Sequence, residues 1–224
     1  MTDIELSIET TPPGTVLADI DGFLRDAKGV VHIGANIGQE REMYNKLELR
    51  VLWIEPIPQL FNVLKQNIER YPKQRALQYL LTDQVQKAYE FKISNNMGRS
   101  SSIFDLAEHR TIWPHIDYIG TVTLRSETFN SMCEKERINL EHYDALVLDT
   151  QGSEFLVLKG AEAVLGHFKF IKVEAADFEA YSGCCRVQDI ADYLAGFGFQ
   201  ETLRTEQASH PGGGKYFEIV YSND

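Results

Sequence analysis

The chain has 224 residues, is 43% hydrophobic and carries a formal charge of −11 at pH 7, with 22 Lys and Arg against 33 Asp and Glu. That much apolar material can fill a core, which excludes a disordered chain. No cluster of Lys and Arg is available to neutralise phosphates, so neither nucleic acid nor an anionic membrane is an expected partner.

The opening stretch MTDIELSIET is acidic and poor in apolar residues. No apolar run approaches the roughly 18 residues of a membrane span, and no basic-then-apolar leader precedes the rest. A cytoplasmic protein is expected. Cys133, Cys184 and Cys185 are odd in number and lack the spacing of a disulfide framework or a zinc site, so they read as free thiols.

Residues 1–28 read as a lead-in followed by a helix, and 29–224 as the main domain. The lead-in ends at Pro12 and Pro13; Leu17, Ile20 and Leu24 then fall at helical spacing over 15–27. Strands and helices alternate from there. GVVHIG is a short apolar strand, QEREMYNKLE a helix, and RVLWIEP a second strand closed by Pro56. PQLFNVLKQNIERY places Leu60, Val63, Leu64 and Ile68 at helical spacing, and RALQYLLTD reads as one third strand.

The middle is less regular. KAYEFKIS alternates like a strand, NNMGRSSS is a polar loop, TVTLRS is a short strand, and ETFNSMCEKER is a helix with Ser126 as a possible cap. YDALVLD is a buried strand, SEFLVLKGAEAVL a helix, FKFIKVEA a strand, and VQDIADYLAGFG a helix ending near Gly196 and Gly198. FQETLRTE and KYFEIVYS alternate with period two around PGGG, the pattern of a closing hairpin. This order predicts an α/β fold: a mostly parallel sheet covered by helices on both faces. Ligands of such sheets bind at the carboxyl ends of the strands, where the strand order reverses.

Three strand ends carry suitable chemistry. After the first stands Gly34-Ala35-Asn36-Ile37-Gly38. Gly34 permits a positive φ or close backbone approach, and free N–H groups at the following helix start would favour an anion. A plain tight turn is the alternative. The two glycines are four apart and a third is missing, which suits a small anion such as an amino-acid carboxylate better than a pyrophosphate. After the second strand, Glu55 stands 21 residues beyond Gly34, where an acid accepts hydrogen bonds from ribose hydroxyls. After the third stands Asp83, which could accept from an adenine amino group or merely form a turn. An amino-acid end, a nucleoside end and no phosphate describe S-adenosylmethionine.

VVHIGANIGQE, WIEP, LTD, LDTQGSEFLVLKGAE and FKFIKVEA resemble, in order and spacing, the successive motifs of the FkbM-type methyltransferase family over about residues 29 to 200. The resemblance implies a class I methyltransferase: a Rossmann-like three-layer sandwich whose seven-stranded sheet ends in an antiparallel hairpin. It implies S-adenosylmethionine as cofactor and S-adenosylhomocysteine as product. Gly34, Ala35, Asn36 and Gly38 match the loop around the methionine part. Glu55, followed by Pro56, matches the ribose-binding acid, and Asp83, after Thr82, the residue near adenine. Asp149 would lie close to the methyl-transfer centre. Many members carry an acid where this chain has His32; a neutral imidazole could accept one hydrogen bond there, or simply pack.

Methyl transfer requires alignment of nucleophile and methyl carbon, and a hydroxyl nucleophile gives up a proton. The candidate catalytic groups are Asp149, Glu174 and His109, with Asp177 and His115 behind them. Asp149 could equally position substrate or hold the cofactor's amino group. Glu154 is expected to serve its helix N-terminus. Asn95, Asn96, Ser101 and Gln151 are candidate substrate contacts. Tyr181, Gly183 and Gly212 to Gly214 could form a lid. No metal is required, although Asp149 with Glu174 or Asp177 could hold Mg²⁺. The expected activity is O-methylation of a small-molecule or glycan hydroxyl. An N-methyltransferase and a catalytically silent cofactor-binding module are the alternatives. A nicotinamide oxidoreductase fits less well, for want of the third glycine and of a Tyr-x-x-x-Lys pair.

Overall fold

The computed structural model describes residues 19–223. The lead-in and the first part of the 15–27 helix, with Leu17, lie outside the described residues. From residue 19 onward the expected helix is a five-residue 3-10 turn, Gly22–Asp26, with Leu24 buried. Asp21 does not cap it; its carboxylate meets Lys172 Nζ at 2.8 Å instead.

Among the described residues, ten strands and six α-helices follow: β1 (Gly29–Ile33), α1 (Arg41–Lys46), β2 (Arg50–Ile54), α2 (Pro58–Ile68), β3 (Gln74–Leu77), β4 (Leu80–Leu81), β5 (Ala88–Ser94), α3 (His109–Ile112), β6 (Tyr118–Glu127), α4 (Phe129–Glu136), β7 (Ala145–Leu148), α5 (Glu154–Gly160), β8 (Phe170–Ala176), α6 (Val187–Ala195), β9 (Gln200–Ser209) and β10 (Lys215–Ser222). Seven strands form one sheet in the order β3-β2-β1-β7-β8-β10-β9. Its pairs are parallel except those of β10, which runs antiparallel to β8 and to β9. The expected parallel sheet with a terminal antiparallel hairpin is the sheet observed.

The central strands are apolar on both sides because both faces are covered. Val31, Ile33, Leu52, Ile54, Leu146, Leu148, Ile171 and Val173 pack with Phe129 and Met132 of α4, Val157 and Leu158 of α5, and Ile190 and Leu194 of α6. Their alternate neighbours Val30, Val51, Trp53, Ala145, Val147 and Phe170 pack with Leu24, Tyr44, Leu64 and Ile68. In α2, Pro58 occupies the first turn, where its missing N–H costs nothing. Leu64 and Ile68 are buried, whereas Val63, at the same helical spacing, faces solvent.

Three further points differ from the sequence reading. The single strand expected over 75–83 is two strands. β3 pairs with β2 as far as Leu77, and β4 leaves the sheet to pair with Ser126 and Glu127 of β6. The ladder stops because β2 has nothing more to offer: Pro56 lacks an N–H, and the Ile57 N–H is held by Glu55 Oε1 at 2.8 Å. The helix after β6 is capped by Thr128, whose side chain accepts from Ser131 N, not by Ser126, which lies within β6. The helix over 153–165 splits into α5 and a 3-10 turn, Glu162–His167. Ala161 N–H is shared between the carbonyls of Val157 and Leu158, the bifurcated bond that tightens an α-helix toward 3-10.

β4, β6 and β5 form a second sheet of three strands. The polar loop 95–101 and α3 follow β5, and these segments face the carboxyl ends of β1, β2, β7 and β8 across a cavity.

Candidate active site

The cavity has a volume of about 460 Å³ and opens where the strand order reverses, between β1 and β7. Its lining includes His32, Gly34, Ala35, Asn36, Glu55, Pro56, Asn96, Ser101, His109, His115, Asp149, Gln151 and Glu174.

At the end of β1, Gly34 has φ +86°, and a Cβ there would stand 1.8 Å from the carbonyl oxygen of Asp149. Glycine is required by both facts. Asn36 is also left-handed, at φ +47°. Its N–H donates to Glu55 Oε2 at 2.8 Å and its Nδ2 to the carbonyl of Met97 at 3.0 Å, tying the 95–101 loop to the turn. Gly38 lies outside the lining; it lets α2 approach, since a Cβ would meet Leu64 Cδ1 at 2.7 Å. The amides of the turn itself are in use. Ala35 N–H donates to Ile54, Ile37 N–H to Asn36 Oδ1 and Gly38 N–H to Ala35, and α1 begins only at Arg41. Gln39 and Arg99 also line the cavity.

Glu55, at the tip of β2, is 3% exposed. Burial pushes its carboxyl up to about 8, against the pull of two backbone N–H donors, Ile57 and Asn36. Each oxygen accepts one of these bonds and keeps a second lone pair for a ligand. Thr82 and Asp83 do not line the cavity. Thr82 bonds Gln84 and Glu127, closing the turn after β4, and Asp83 Oδ1 is buried without a partner. The apolar wall is Ile57, Leu80, Leu81 and Phe91. The leucines read in the sequence as ordinary strand core, and nothing in their pattern marked them.

At the end of β7, Asp149 Oδ1 accepts from Gln151 Nε2 at 2.6 Å, and the same nitrogen lies 3.1 Å from Glu174 Oε2 on β8. Tyr181 OH donates to Gln151 Oε1 at 2.5 Å. Tyr181 is therefore a buried support and not part of a lid. Burial and the nearby Asp149 carboxylate hold Glu174 well above the usual carboxylate range. Glu154, 2% exposed, staples the β7–α5 turn by accepting from Thr150 N at 2.8 Å and Gly152 N at 3.0 Å, and burial raises it to about 7. Asp177 accepts from Lys215 N at 2.7 Å, outside the lining, which removes it from the base and metal candidates. Among the described residues no group of three or more His, Cys, Asp or Glu is placed to hold a metal ion.

His109, on α3, is 2% exposed, and its Nδ1 has no hydrogen-bond partner. Its ring packs against Trp113 and Tyr181, and burial lowers it to about 4, so it is neutral at pH 7. His32 is packed between Tyr44, whose OH lies 3.0 Å from Nδ1, and the stacked Trp53. Burial brings it too to about 4. Asn95 points away, bonding the His115 carbonyl, whereas Asn96 and Ser101 fix the loop through Ser94 and Ser100. Gly183 and the Gly212 to Gly214 turn do not border the cavity. Trp113 and Tyr216 do. Trp113 stood in the irregular segment TIWPHI, a visible aromatic without a pattern; Tyr216 was hidden in the alternation of a strand.

A family model described as "Methyltransferase FkbM domain" matches residues 32–201, about three quarters of the chain. Sp1610 of Streptococcus pneumoniae, a candidate tRNA (m1A22) methyltransferase, is similar at a TM-score of 0.49 and 8% identity, over 93% of this chain and 71% of that one. For the 1,6-didemethyltoxoflavin-N1-methyltransferase of Burkholderia thailandensis, solved with S-adenosylhomocysteine, the figures are 0.46, 10%, 92% and 77%. For the magnesium protoporphyrin IX methyltransferase of Synechocystis PCC 6803, solved with S-adenosylmethionine, they are 0.44, 10%, 87% and 69%. No curated protein matches the sequence.

Proposed function

The chain belongs to the FkbM methyltransferase family, S-adenosylmethionine-dependent enzymes, and from that premise we propose that it methylates a hydroxyl oxygen on a sugar, a glycan precursor or a secondary metabolite. When bound, the cofactor supplies an electrophilic methyl group on a sulfonium. The residues present fit it: a turn that no Cβ could enter, a buried acid with lone pairs to spare, and an apolar wall.

The observation that carries the reading is the shared cavity of Gly34, Glu55 and Asp149, three strand ends meeting at one reversal of strand order. Glu55 would hold the ribose hydroxyls, and Ile57, Leu80 and Leu81 would face the adenine. Asp149 and Glu174 stand at the transfer end. His109, neutral and with an unpartnered nitrogen, lines the same cavity with Trp113 and Tyr216. A hydroxyl must lose its proton as it is methylated, and these groups are the ones able to receive it. Amines need the same service, so N-methylation is the second reading.

Calorimetric titration with S-adenosylhomocysteine, with NAD as control, tests the cofactor site. Binding is expected for the first ligand alone. In Glu55→Ala it should weaken roughly tenfold to a hundredfold, the worth of hydrogen bonds to a buried acid. A folded protein that binds neither ligand would overturn the methyltransferase reading. Transfer of labelled methyl to panels of sugars, hydroxylated metabolites and amines then separates oxygen from nitrogen acceptors.

A further inference from the structure

The methyl donor of this family is a sulfonium cation, and the product left behind is a neutral thioether. The site must therefore hold a charge that disappears in the reaction. Asp149 Oδ1 and Glu174 Oε2 both lie within 3.1 Å of one nitrogen, Gln151 Nε2. That amide is held in one orientation, because Tyr181 OH donates to its oxygen at 2.5 Å. The Gln151 backbone is left-handed, at φ +54°, and its carbonyl accepts from Ser102 Oγ at 2.7 Å. The two carboxyls share one donor, and burial together with the Asp149 carboxylate beside it favours the protonated form of Glu174.

The groups around them offer little compensation. Glu154 at the start of α5, Glu55 on β2, His32 on β1, Glu218 on β10 and the phenols of Tyr181 and Tyr216 face the pair. Glu40, His109, His115 and Arg99 also line the cavity. Lys172, on the same face of β8, is engaged by Asp21 and Glu218 at 2.8 and 2.7 Å.

We propose that Asp149 and Glu174 form a proton-exchanging counter-charge for the cofactor's cationic end, with Gln151 and Tyr181 as the positioning residues that hold the pair together. This rests on the cavity being the cofactor site. Without the cation the pair holds one proton. The pair gives that proton to solvent when the sulfonium binds. During transfer the acceptor oxygen bonds the methyl carbon, the sulfur–carbon electron pair returns to sulfur, and the acceptor's hydroxyl proton goes to the pair. Charge and protons then balance at every step, and S-adenosylhomocysteine leaves from a pair that is protonated again.

The test compares S-adenosylmethionine with S-adenosylhomocysteine by calorimetry from about pH 6 to pH 9, in phosphate and in Tris, whose different ionisation enthalpies report protons released. The donor should release about one proton per molecule bound and gain up to about tenfold in affinity per pH unit; the product should do neither. Glu174→Gln should abolish the proton release, and Gln151→Leu should shift the pH at which it occurs. Circular dichroism checks that each variant is folded, and the wild-type comparison stands without them. Equal pH slopes for the two ligands, or no proton release with the donor, would overturn the proposal and leave the cofactor site intact. Failure of both ligands to bind would overturn both.

Discussion

Gly34 shows how one residue can be required twice. Its φ of +86° is a conformation that L side chains rarely adopt, and its missing Cβ leaves room for the Asp149 carbonyl, which would otherwise be 1.8 Å away. Gly34→Ala should cost at least about 1 to 3 kcal/mol from the backbone alone, and more from the clash. It should separate β1 from the β7 tip and abolish S-adenosylhomocysteine binding, measured by calorimetry alongside the thermal midpoint. A variant that binds normally would show that the turn is only a connection. This position was legible in the sequence because a glycine after an apolar run has few other uses. Gln151 was named as a substrate contact, but its placement between two carboxyls was not legible. That depends on Tyr181, which β8 brings back to the same place from thirty residues further on.

At the scale of elements, side chains decided where regular structure ends. Glu55 takes the Ile57 N–H, Pro56 has none to give, and the third strand is broken as a result. The sequence reading followed the apolar run through Leu80 and Leu81, because periodicity does not report which partner strand is still available. α4 illustrates the same limit at its start. Ser126 was the expected cap, but it lies within β6, and Thr128 is the residue placed for its oxygen to reach the N3 amide of Ser131. Thr128→Ala should destabilise the protein by about 1 kcal/mol in urea unfolding, and Ser126→Ala should not reproduce this loss through the cap. An intact midpoint in Thr128→Ala would mean that packing of Phe129 and Met132 holds the helix without its cap.

For the whole molecule, the cavity makes stability depend on pH with a definite sign. Glu55 near 8 and Glu154 near 7 are raised above the ordinary value of 4.5, so the folded chain binds more protons than the unfolded one across that range. Their contribution is present at low pH and is lost as pH rises through the folded values. His32 and His109, lowered from 6.5 to about 4, act in the opposite sense, since the unfolded chain takes up their protons first. Below about pH 6.5 the two sets oppose each other. Above it only the carboxyls remain, with a slope of up to about 1.4 kcal/mol per pH unit for each group. The thermal midpoint of the ligand-free protein should therefore fall between about pH 6.5 and pH 8, and Glu154→Gln, which cannot titrate, should make that fall shallower. A flat or rising midpoint over this range would show that the buried acids are ionised throughout.

The order of strands and helices, the hairpin, the glycine turn and the acid after the second strand were all written in the sequence. Each depends on neighbours a few residues away, on the periods of 2 and 3.6, or on one residue type with few alternatives. The tertiary structure decided which of those residues meet. It set Thr82 and Asp83 aside, brought Trp113 and Tyr216 to the cavity, occupied the amides of the Gly34 turn, and put one glutamine between Asp149 and Glu174. These are encounters between residues distant in the chain. They are decided by which buried donor finds which acceptor once the sheet has closed, and no local pattern records that competition.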